Sequence, residues 1–233
     1  MSQLAIEAFP DIEVGDEGNA RHALLSTSSP YDLERQWTGR RARDYALVNV
    51  EDGSRRKILT RVAGRVGLSP KGGYVFGYNS TDSTWFAYNV KESGYKDLTG
   101  GRVFYDELHD SPSPPPPYGE AGWIEKDGDL ILYDRYDLWK FNPDTGASER
   151  LTRGRETRTV YRYVALDPDK KYLDSKGTWL LTTFDEEDKS SGYASYDPRR
   201  NTVQPLLEGP FRYGRPRKAE LADQLLFTRE SFQ

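Results

Sequence analysis

The sequence predicts an all-β fold of the β-propeller class, with about four complete four-stranded antiparallel blades and one partial blade. Two observations lead to this prediction: a strand-turn-strand pattern recurs along the chain, and turn residues separate short runs of strand-forming residues. The clearest copy spans residues 130–152, LILYDRYDLWKFNPDTGASERLT. In it, an apolar run, an alternating apolar-polar run and a Pro-Asp-Thr-Gly turn follow one another, which predicts three short antiparallel strands.

The same pattern occurs three more times, at residues 43–59, 84–99 and 191–207. Each copy has an aromatic-rich strand, then Asn or Asp, then a turn and a shorter strand. The aligned polar positions are Asn49, Asn89, Asn142 and Asp197, at spacings of 40, 53 and 55 residues. The first spacing is close to the roughly 40 to 50 residues of a four-stranded propeller blade, and the longer two contain insertions.

The repeat divides the chain into predicted blades within a single domain. They are blade I at about 21–60, blade II at about 64–100, blade III at about 119–153, blade IV at about 159–209 and half blade V at 210–233, with a proline-rich loop at 101–118. Within blade II the predicted strands are 66–68, 74–78, 85–90 and 95–98. Alternate positions on a half-buried strand face the neighbouring blade, so we expect Trp85, Tyr88, Trp139 and Phe141 to be mostly buried.

The ends of the chain suggest an open, incomplete ring. Residues 1–20 are rich in turn residues after a possible strand at 4–9, and the half blade offers strands only at about 215–220 and 225–228. We expect an unpaired strand edge near 225–228 that favours self-association. The competing outcome is that segment 4–9 pairs with the half blade and closes a five-bladed ring.

Composition excludes several functional classes. With 36% hydrophobic and 30% charged residues among 233, the chain is typical of soluble globular proteins with a substantial core. The net charge of -4 disfavours nucleic acid as a partner. No run reaches the roughly 20 apolar residues of a membrane span, and the N-terminus lacks the layout of a signal peptide. A membrane partner is therefore not expected, and any export signal would be missing from this sequence.

Cysteine and histidine usage limits the chemistry further. The chain has no cysteine, which excludes disulfides, thiolate metal sites and a cysteine nucleophile. Its two histidines, His22 and His109, are 87 residues apart and offer little for a metal site or a general base. We expect no metal, no cofactor and no catalytic residue, and the sequence assigns no substrate-binding residue.

Two segments could be either a binding site or a structural loop. A cluster of Trp37, Arg40, Arg41 and Arg43 could bind an acidic group, but a solvated loop is favoured. The segment 111–118, SPSPPPPY, could dock as a PxxP ligand, but a stiff loop between blades is favoured.

Two further segments carry concentrated charge. Arginines alternate with tyrosines in residues 150–164, which fits an inner strand facing a wet channel better than a site for single-stranded nucleic acid, given the acidic total. The acidic run Asp185, Glu186, Glu187 and Asp188 lacks the spacing of a calcium loop, so a solvated hairpin loop is favoured.

Several segments together resemble the propeller portion of bacterial serine peptidases of the prolyl oligopeptidase family, which includes dipeptidyl and acylaminoacyl peptidases. The segments are WFAYNVKESGYKDLT, YGEAGWIEKDGDLILYDRYDLWKFNPDTG, RYVALD, FDEEDKSSGY and LLFTRESFQ, and the resemblance covers about residues 12–233. It implies a ring of seven or eight blades over an α/β-hydrolase domain that carries the catalytic Ser, Asp and His. The ring would admit short or unfolded peptides.

The sequence departs from this family in lacking Gly-x-Ser-x-Gly, the strand-to-helix turn that exposes the nucleophile. We therefore expect this chain not to be an enzyme by itself, although the parent protein would be a serine-type peptidase. The family's substrate-binding glutamate pair stands in a Tyr-Glu-Glu context, whereas Glu186 and Glu187 follow Asp185, so that role is not transferred.

The resemblance implies two partners: an α/β-hydrolase domain of the parent chain and the parent's peptide substrates. A periplasmic or extracytoplasmic location is favoured for the parent. The first alternative is a stand-alone protein-binding scaffold. A glycosidase with paired carboxylates is disfavoured, because the acidic residues crowd the predicted turns.

Overall fold

The structure, a computed structural model, describes residues 4–39, 41–222 and 224–231. These residues fall into two compact units. The first unit comprises the described residues of Met1–Pro117 and Asn142–Ala147, and the second those of Tyr118–Phe141 and Ser148–Gln233. Almost all regular structure is β, and the described part of the chain contains no helix long and apolar enough to cross a membrane.

The first unit contains two four-stranded antiparallel sheets, each with its strands in chain order. One consists of β1 (Asp11–Val14), β2 (His22–Thr27), β3 (Ala42–Asn49) and β4 (Arg55–Ala63). The other consists of β5 (Val66–Leu68), β6 (Tyr74–Asn79), β7 (Thr84–Asn89) and β8 (Gly94–Asp97). Alternate apolar residues of both sheets, among them Leu47, Val75 and Phe86, form one buried cluster.

The second unit is also built from antiparallel meanders. Its first sheet contains β9 (Glu120–Ile124), β10 (Leu130–Tyr133), β11 (Leu138–Phe141) and β12 (Ser148–Arg150). Its second contains β13 (Thr159–Tyr163), β15 (Trp179–Asp185), β16 (Ser191–Asp197) and β17 (Thr202–Gly209). Successive four-stranded antiparallel sheets are the blades of a β-propeller, and the predicted fold class is confirmed.

The strand β14 (Tyr172–Leu173) was not predicted. The sequence interpretation treats its surroundings as an insertion in blade IV, but β14 joins the preceding sheet by pairing in parallel with β9. Leu173 explains the difference, since its side chain is 2% exposed and belongs to the buried cluster of this unit. A single buried leucine in a polar segment carries no periodic signal.

The predictions for the N-terminal segment were wrong. Residues 4–9 do not form a strand; Ile6 and Phe9 instead bridge to each other locally. The first strand is β1, in the stretch that was expected to consist of turns, and it pairs with β2 from Asp11 opposite Ser26 to Val14 opposite Ala23. The run Asp-Ile-Glu-Val alternates polar and apolar residues, but its four residues are too few to stand out among the surrounding glycines and acids.

The C-terminal segment forms shorter strands than predicted. Two small antiparallel pairs replace the two expected strands: β18 (Phe211–Tyr213) with β21 (Arg229–Ser231), and β19 (Arg217–Lys218) with β20 (Leu225–Leu226). Pro216 has no backbone N–H to donate, so it limits the start of β19.

Two short α-helices interrupt the strands in the described part of the chain. The helix α1 (Asp32–Thr38) ends at Gly39, whose φ of 68° a residue without Cβ adopts freely. It occupies the segment predicted as a solvated loop around Trp37, so the loop prediction was wrong there, although Trp37 is 86% exposed. Of the predicted arginine cluster, Arg40 lies outside the described residues and Arg43 lies on β3. The second helix is α2 (Gly154–Thr157).

The predicted aromatic core is largely confirmed. Trp85, Tyr88 and Phe141 are 2%, 7% and 0% exposed. Trp139 is only partly buried, and its indole N–H donates a hydrogen bond to Asp134 Oδ2 at 3.1 Å.

The aligned Asn and Asp residues of the repeat perform one structural role in all four copies. Each side-chain Oδ1 accepts a hydrogen bond from the backbone N–H two residues later, at 2.9 Å for Asn49, 3.0 Å for Asn89, 3.2 Å for Asn142 and 2.9 Å for Asp197. The residue four positions after each has a positive φ; these residues are Gly53, Ser93, Gly146 and Asn201. The repeat therefore encodes an Asx turn that closes each hairpin.

Candidate functional site

A polar cluster in the second unit gathers side chains from three connections. These are the loop between β10 and β11, the helix α2 and the turn between β15 and β16. Because β10 and β12 run in the same direction in their antiparallel sheet, the loop after β10 and the connection after β12 leave that sheet at the same end. Glu186 joins the turn between β15 and β16 to the first of these loops. We call the group the Arg135–Glu186 cluster; its members are Asp134, Arg135, Tyr136, Asp137, Arg155 and Glu186.

Asp134 shapes the loop between β10 and β11. Its Oδ1 accepts hydrogen bonds from the backbone N–H groups of Tyr136 at 2.8 Å and Asp137 at 2.6 Å. The side chain is almost fully buried. These contacts hold the following aromatic and acidic side chains in fixed directions.

Asp137 is completely buried and joins the loop to α2. Its Oδ1 accepts hydrogen bonds from Thr152 Oγ1 at 2.7 Å and from the Gly154 N–H at 2.5 Å, and its Oδ2 accepts one from the Arg155 N–H at 3.3 Å. Burial raises the pKa of the Asp137 carboxyl in spite of these donors. The Asp137 carboxylate therefore fixes the backbone at the start of α2.

The central contact of the cluster is a bidentate ion pair. Arg135 donates from Nε to Glu186 Oε1 at 3.2 Å and from Nη2 to Oε2 at 2.7 Å, and Tyr136 donates its hydroxyl hydrogen to the same Oε2 at 2.7 Å. Partial burial acts to raise the pKa of Glu186, but the hydrogen bonds from Arg135 and Tyr136 outweigh it and hold that pKa below its ordinary value. The same contact raises the pKa of Arg135.

Cation–π contacts complete the cluster. The guanidinium carbons of Arg135 and Arg155 both lie 5.1 Å from the centre of the Tyr136 ring. Arg155 also reaches Asp134 Oδ2, with its Nη2 at 3.5 Å. Arg135 and Glu186, and Arg155 and Asp134, are thus paired within the cluster, whereas the charged partner of Asp137 is Arg150, outside it, at 3.9 Å.

The acidic run lies in a hairpin turn, as predicted, but it is not simply solvated. Asp185 Oδ1 accepts the N–H of Glu187 at 2.7 Å and that of Asp188 at 3.1 Å, which repeats the Asx turn of the four aligned positions. Glu186 enters the cluster, and Glu187 pairs with Arg158 at 3.2 Å. The described residues include no group of three or more His, Cys, Asp or Glu side chains suited to a metal ion.

The segment of alternating arginines and tyrosines, residues 150–164, forms the predicted strand only in its second half, where β13 is the first strand of its sheet. The helix α2 occupies the part before it. Arg162, on β13, donates hydrogen bonds to the carbonyls of Tyr161 at 2.7 Å, Arg135 at 3.1 Å and Asp134 at 3.2 Å. Its guanidinium carbon lies 4.7 Å from the centre of the Tyr133 ring. Burial lowers the pKa of Arg162 and raises that of Tyr133 to about 12. The side chains of Arg162 and Tyr133 therefore contribute to the packing of the second unit.

The two histidines lie in the first unit. His109 Nε2 is 3.0 Å from the Ser113 carbonyl oxygen and 3.1 Å from Ser113 Oγ, a local contact across four residues of the proline-rich loop. This loop is held to the unit by Tyr78, whose hydroxyl donates to the Pro115 carbonyl at 3.0 Å, and the bridge between Tyr105 and Pro117 joins the two ends of the loop. Ser113 thus lies beside a histidine but not on the strand-to-helix turn of a serine hydrolase.

The sequence analysis considered Glu186 in the acidic run and Arg155 in the arginine-rich segment, but it did not predict that they belong to a common cluster. The spacing of Asp134 and Asp137 across a predicted turn is the one local signal for it, and it indicates only a structured loop. The pairing of Arg135 with Glu186 joins residues 51 positions apart, which sequence periodicity cannot anticipate.

Comparison with known proteins supports the fold. No protein-family model matches the chain, and no curated protein matches its sequence. Dipeptidyl peptidase 4 of Porphyromonas gingivalis matches in structure with a TM-score of 0.51 at 14% identity, over 88% of this chain and 34% of that one. At this identity the match shows the fold alone.

Two TolB structures are also similar, those from Agrobacterium tumefaciens and Acinetobacter baumannii. Their TM-scores are 0.46 and 0.45, each at 13% identity, and the matches cover 85% and 94% of this chain. The chain spans 65% and 51% of the lengths of these two proteins.

Proposed function

We propose that the chain is the noncatalytic propeller portion of a serine peptidase of the prolyl oligopeptidase family, and that it restricts substrate access to an α/β-hydrolase domain. The observation that carries the proposal is the structural match in which 88% of this chain corresponds to 34% of dipeptidyl peptidase 4. The sequence resemblance described above points to the same family. Peptides reaching the hydrolase domain would be the parent protein's substrates.

In this proposal the Arg135–Glu186 cluster has a mechanical role. It ties two loops and α2 together at one edge of the second unit through buried or half-buried contacts. A propeller that admits some substrates and excludes others needs loops of fixed position. Because Asp134, Asp137 and Glu186 are all engaged by donors, none of them is positioned as an acid or base for a reaction.

Substrate-size dependence in the product of the complete gene tests the proposal. We expect it to hydrolyse short peptides and unfolded chains while leaving folded proteins intact. Equal rates of cleavage within a folded protein and within the same protein after unfolding would contradict restricted access. If the gene product contains no serine that reacts with a fluorophosphonate, membership of the peptidase family is contradicted.

A second function, that of a stand-alone protein-binding scaffold, is favoured by α1. Leu33 and Trp37, four residues apart and therefore on one helix face, are 77% and 86% exposed. An ion pair between Glu34 and Arg61 of β4, at 2.6 Å, links the helix to the first sheet. A helix that presents Leu and Trp to solvent is suited to contact another protein. A gene that ends with this propeller and encodes no hydrolase domain would favour the scaffold.

A further inference from the structure

A cleft of 470 Å³ opens on the second unit, between the hairpin of β15 and β16 and the short strand β18. Its volume lies within the range of roughly 300 to 1,000 Å³ that is typical of small-molecule sites. None of its lining residues belongs to the Arg135–Glu186 cluster.

Aromatic side chains make up the walls of the cleft. The rings of Tyr193 and Tyr213 lie 6.0 Å apart, and those of Phe211 and Tyr213 are 6.1 Å apart in an edge-to-face arrangement. Phe184 also lines the cleft and is 41% exposed. These side chains offer aromatic surface against which a flat apolar group could stack or pack edge-on.

Hydrogen bonds hold the wall in place. Ser191 Oγ donates to the Phe211 carbonyl at 2.6 Å, and the Tyr193 hydroxyl donates to the Gly214 carbonyl. Because both bonds join the β15–β16 sheet to the segment around β18, the cleft is formed before a ligand arrives.

Two basic side chains line the cleft, and no Asp or Glu is among its described lining residues. Lys189 follows the acidic run, where its Nζ donates to the Glu186 carbonyl at 2.5 Å and lies 6.0 Å from the centre of the Phe184 ring. Arg212 is on β18, opposite Glu230 of β21. Among the described residues no hydrogen bond, ion pair or ring contact engages the Arg212 guanidinium, so it is available to a ligand.

We propose that this cleft binds an aromatic carboxylate, with the ring against the aromatic side chains of the cleft and the carboxylate at Arg212 and Lys189. Two sources supply this chemistry: a free aromatic acid and the C-terminal residue of a peptide. A guanidinium or ammonium donates a charge-assisted hydrogen bond to the carboxylate. The aromatic side chains of the cleft favour a ligand whose carboxylate is attached to an aromatic group. This binding is independent of the proposed peptidase role.

The test uses the 233-residue chain and three probes in isothermal titration calorimetry. They are N-acetyl-phenylalanine, its neutral amide, and a blocked tetrapeptide that ends in a phenylalanine carboxylate. We expect saturable binding of the free acid, and binding at least about tenfold weaker for the amide, which corresponds to 1.4 kcal/mol. A tetrapeptide that binds more tightly than the free acid identifies a peptide C-terminus as the ligand; the reverse order identifies the free acid.

The variants Arg212→Gln and Lys189→Gln remove one cation each, and Lys171→Gln makes the same charge change at an exposed position that does not line the cleft. We expect at least about fivefold weaker binding of the acid to Arg212→Gln and unchanged binding to Lys171→Gln, with the folded state of each checked by circular dichroism. Equal affinity for acid and amide, no binding of either, or the same loss in all three variants would overturn the proposal.

Discussion

Arg135 and Glu186, 51 residues apart in the chain, form a bidentate ion pair in which both side chains are 21% exposed. The Tyr136 hydroxyl shares one of the Glu186 oxygens. A pair that is shielded from water and aligned by two parallel hydrogen bonds contributes more to stability than a surface ion pair.

Glu186→Gln should lower the free energy of unfolding by about 1 to 2 kcal/mol, because it leaves Arg135 half-buried without its counter-charge. Urea unfolding followed by circular dichroism measures the change. The matched control is Glu187→Gln, whose partner Arg158 is 60% exposed, and it should change the free energy by less than about 0.5 kcal/mol. Equal effects of the two variants would show that burial of the first pair contributes nothing.

The stabilising effect of Glu186 should decrease at acidic pH. Its pKa is held below the ordinary value of 4.5 in the folded state, so the folded protein binds fewer protons than the unfolded protein near that pH. The stability difference between wild type and Glu186→Gln should therefore be fully present above about pH 5 and shrink as the pH falls through the folded pKa. A difference that grows on acidification would contradict this assignment.

Asp137→Asn should destabilise the second unit by about 1 to 3 kcal/mol, since the amide Nδ2 would face the Arg155 N–H that now donates to Oδ2. Hydrogen exchange of the Gly154 and Arg155 amides should accelerate in the variant. Unchanged protection of both amides would show that the carboxylate does not hold α2.

Trp85→Ala should cost about 3 to 5 kcal/mol, because the indole is 2% exposed in the core of the first unit. Trp37→Ala is the control, at 86% exposure, and its effect should stay within about 0.5 kcal/mol. A loss below half a kcal/mol for Trp85→Ala would show that its face of the sheet is exposed.

The purified chain should show no turnover of peptide, ester or glycoside substrates above background. Fluorophosphonate labelling is a sensitive measurement, and Ser113, next to His109, is the serine to examine. Reproducible labelling that disappears in Ser113→Ala would contradict a noncatalytic chain.

Local features of this fold could be predicted from sequence because their causes are local. The aligned Asn and Asp residues mark turns whose geometry depends on the next four residues. Both units also contain a threonine whose hydroxyl accepts a backbone N–H at the start of a strand or beside it. Thr99 Oγ1 accepts the Trp85 N–H at 3.0 Å, and Thr152 Oγ1 accepts the Leu138 N–H at 3.1 Å. Both threonines follow a leucine at the end of a blade pattern.

Other features depend on partners distant in sequence. The parallel pairing of β14 and the contact of Arg135 with Glu186 arise from tertiary packing, which overrides local preference. Glu186 looked like part of a solvated acidic run because nothing near it in the sequence indicates the arginine that it meets.

The expected self-association remains a prediction. Leu225 and Leu226 of β20 are 42% and 75% exposed, which leaves apolar surface on a short strand. We expect light scattering to show association at high protein concentration and Leu226→Lys to reduce it. A wild-type chain that stays monomeric at every concentration would contradict this prediction and the open-ring interpretation on which it depends.

The reading frame that follows Gln233 in the gene tests the central claim most directly. The account predicts several hundred further residues that complete the propeller and include a Gly-x-Ser-x-Gly motif with Asp and His downstream. A stop codon within about two strands of Gln233, with no hydrolase segment elsewhere in the frame, would contradict the peptidase assignment and leave the binding scaffold.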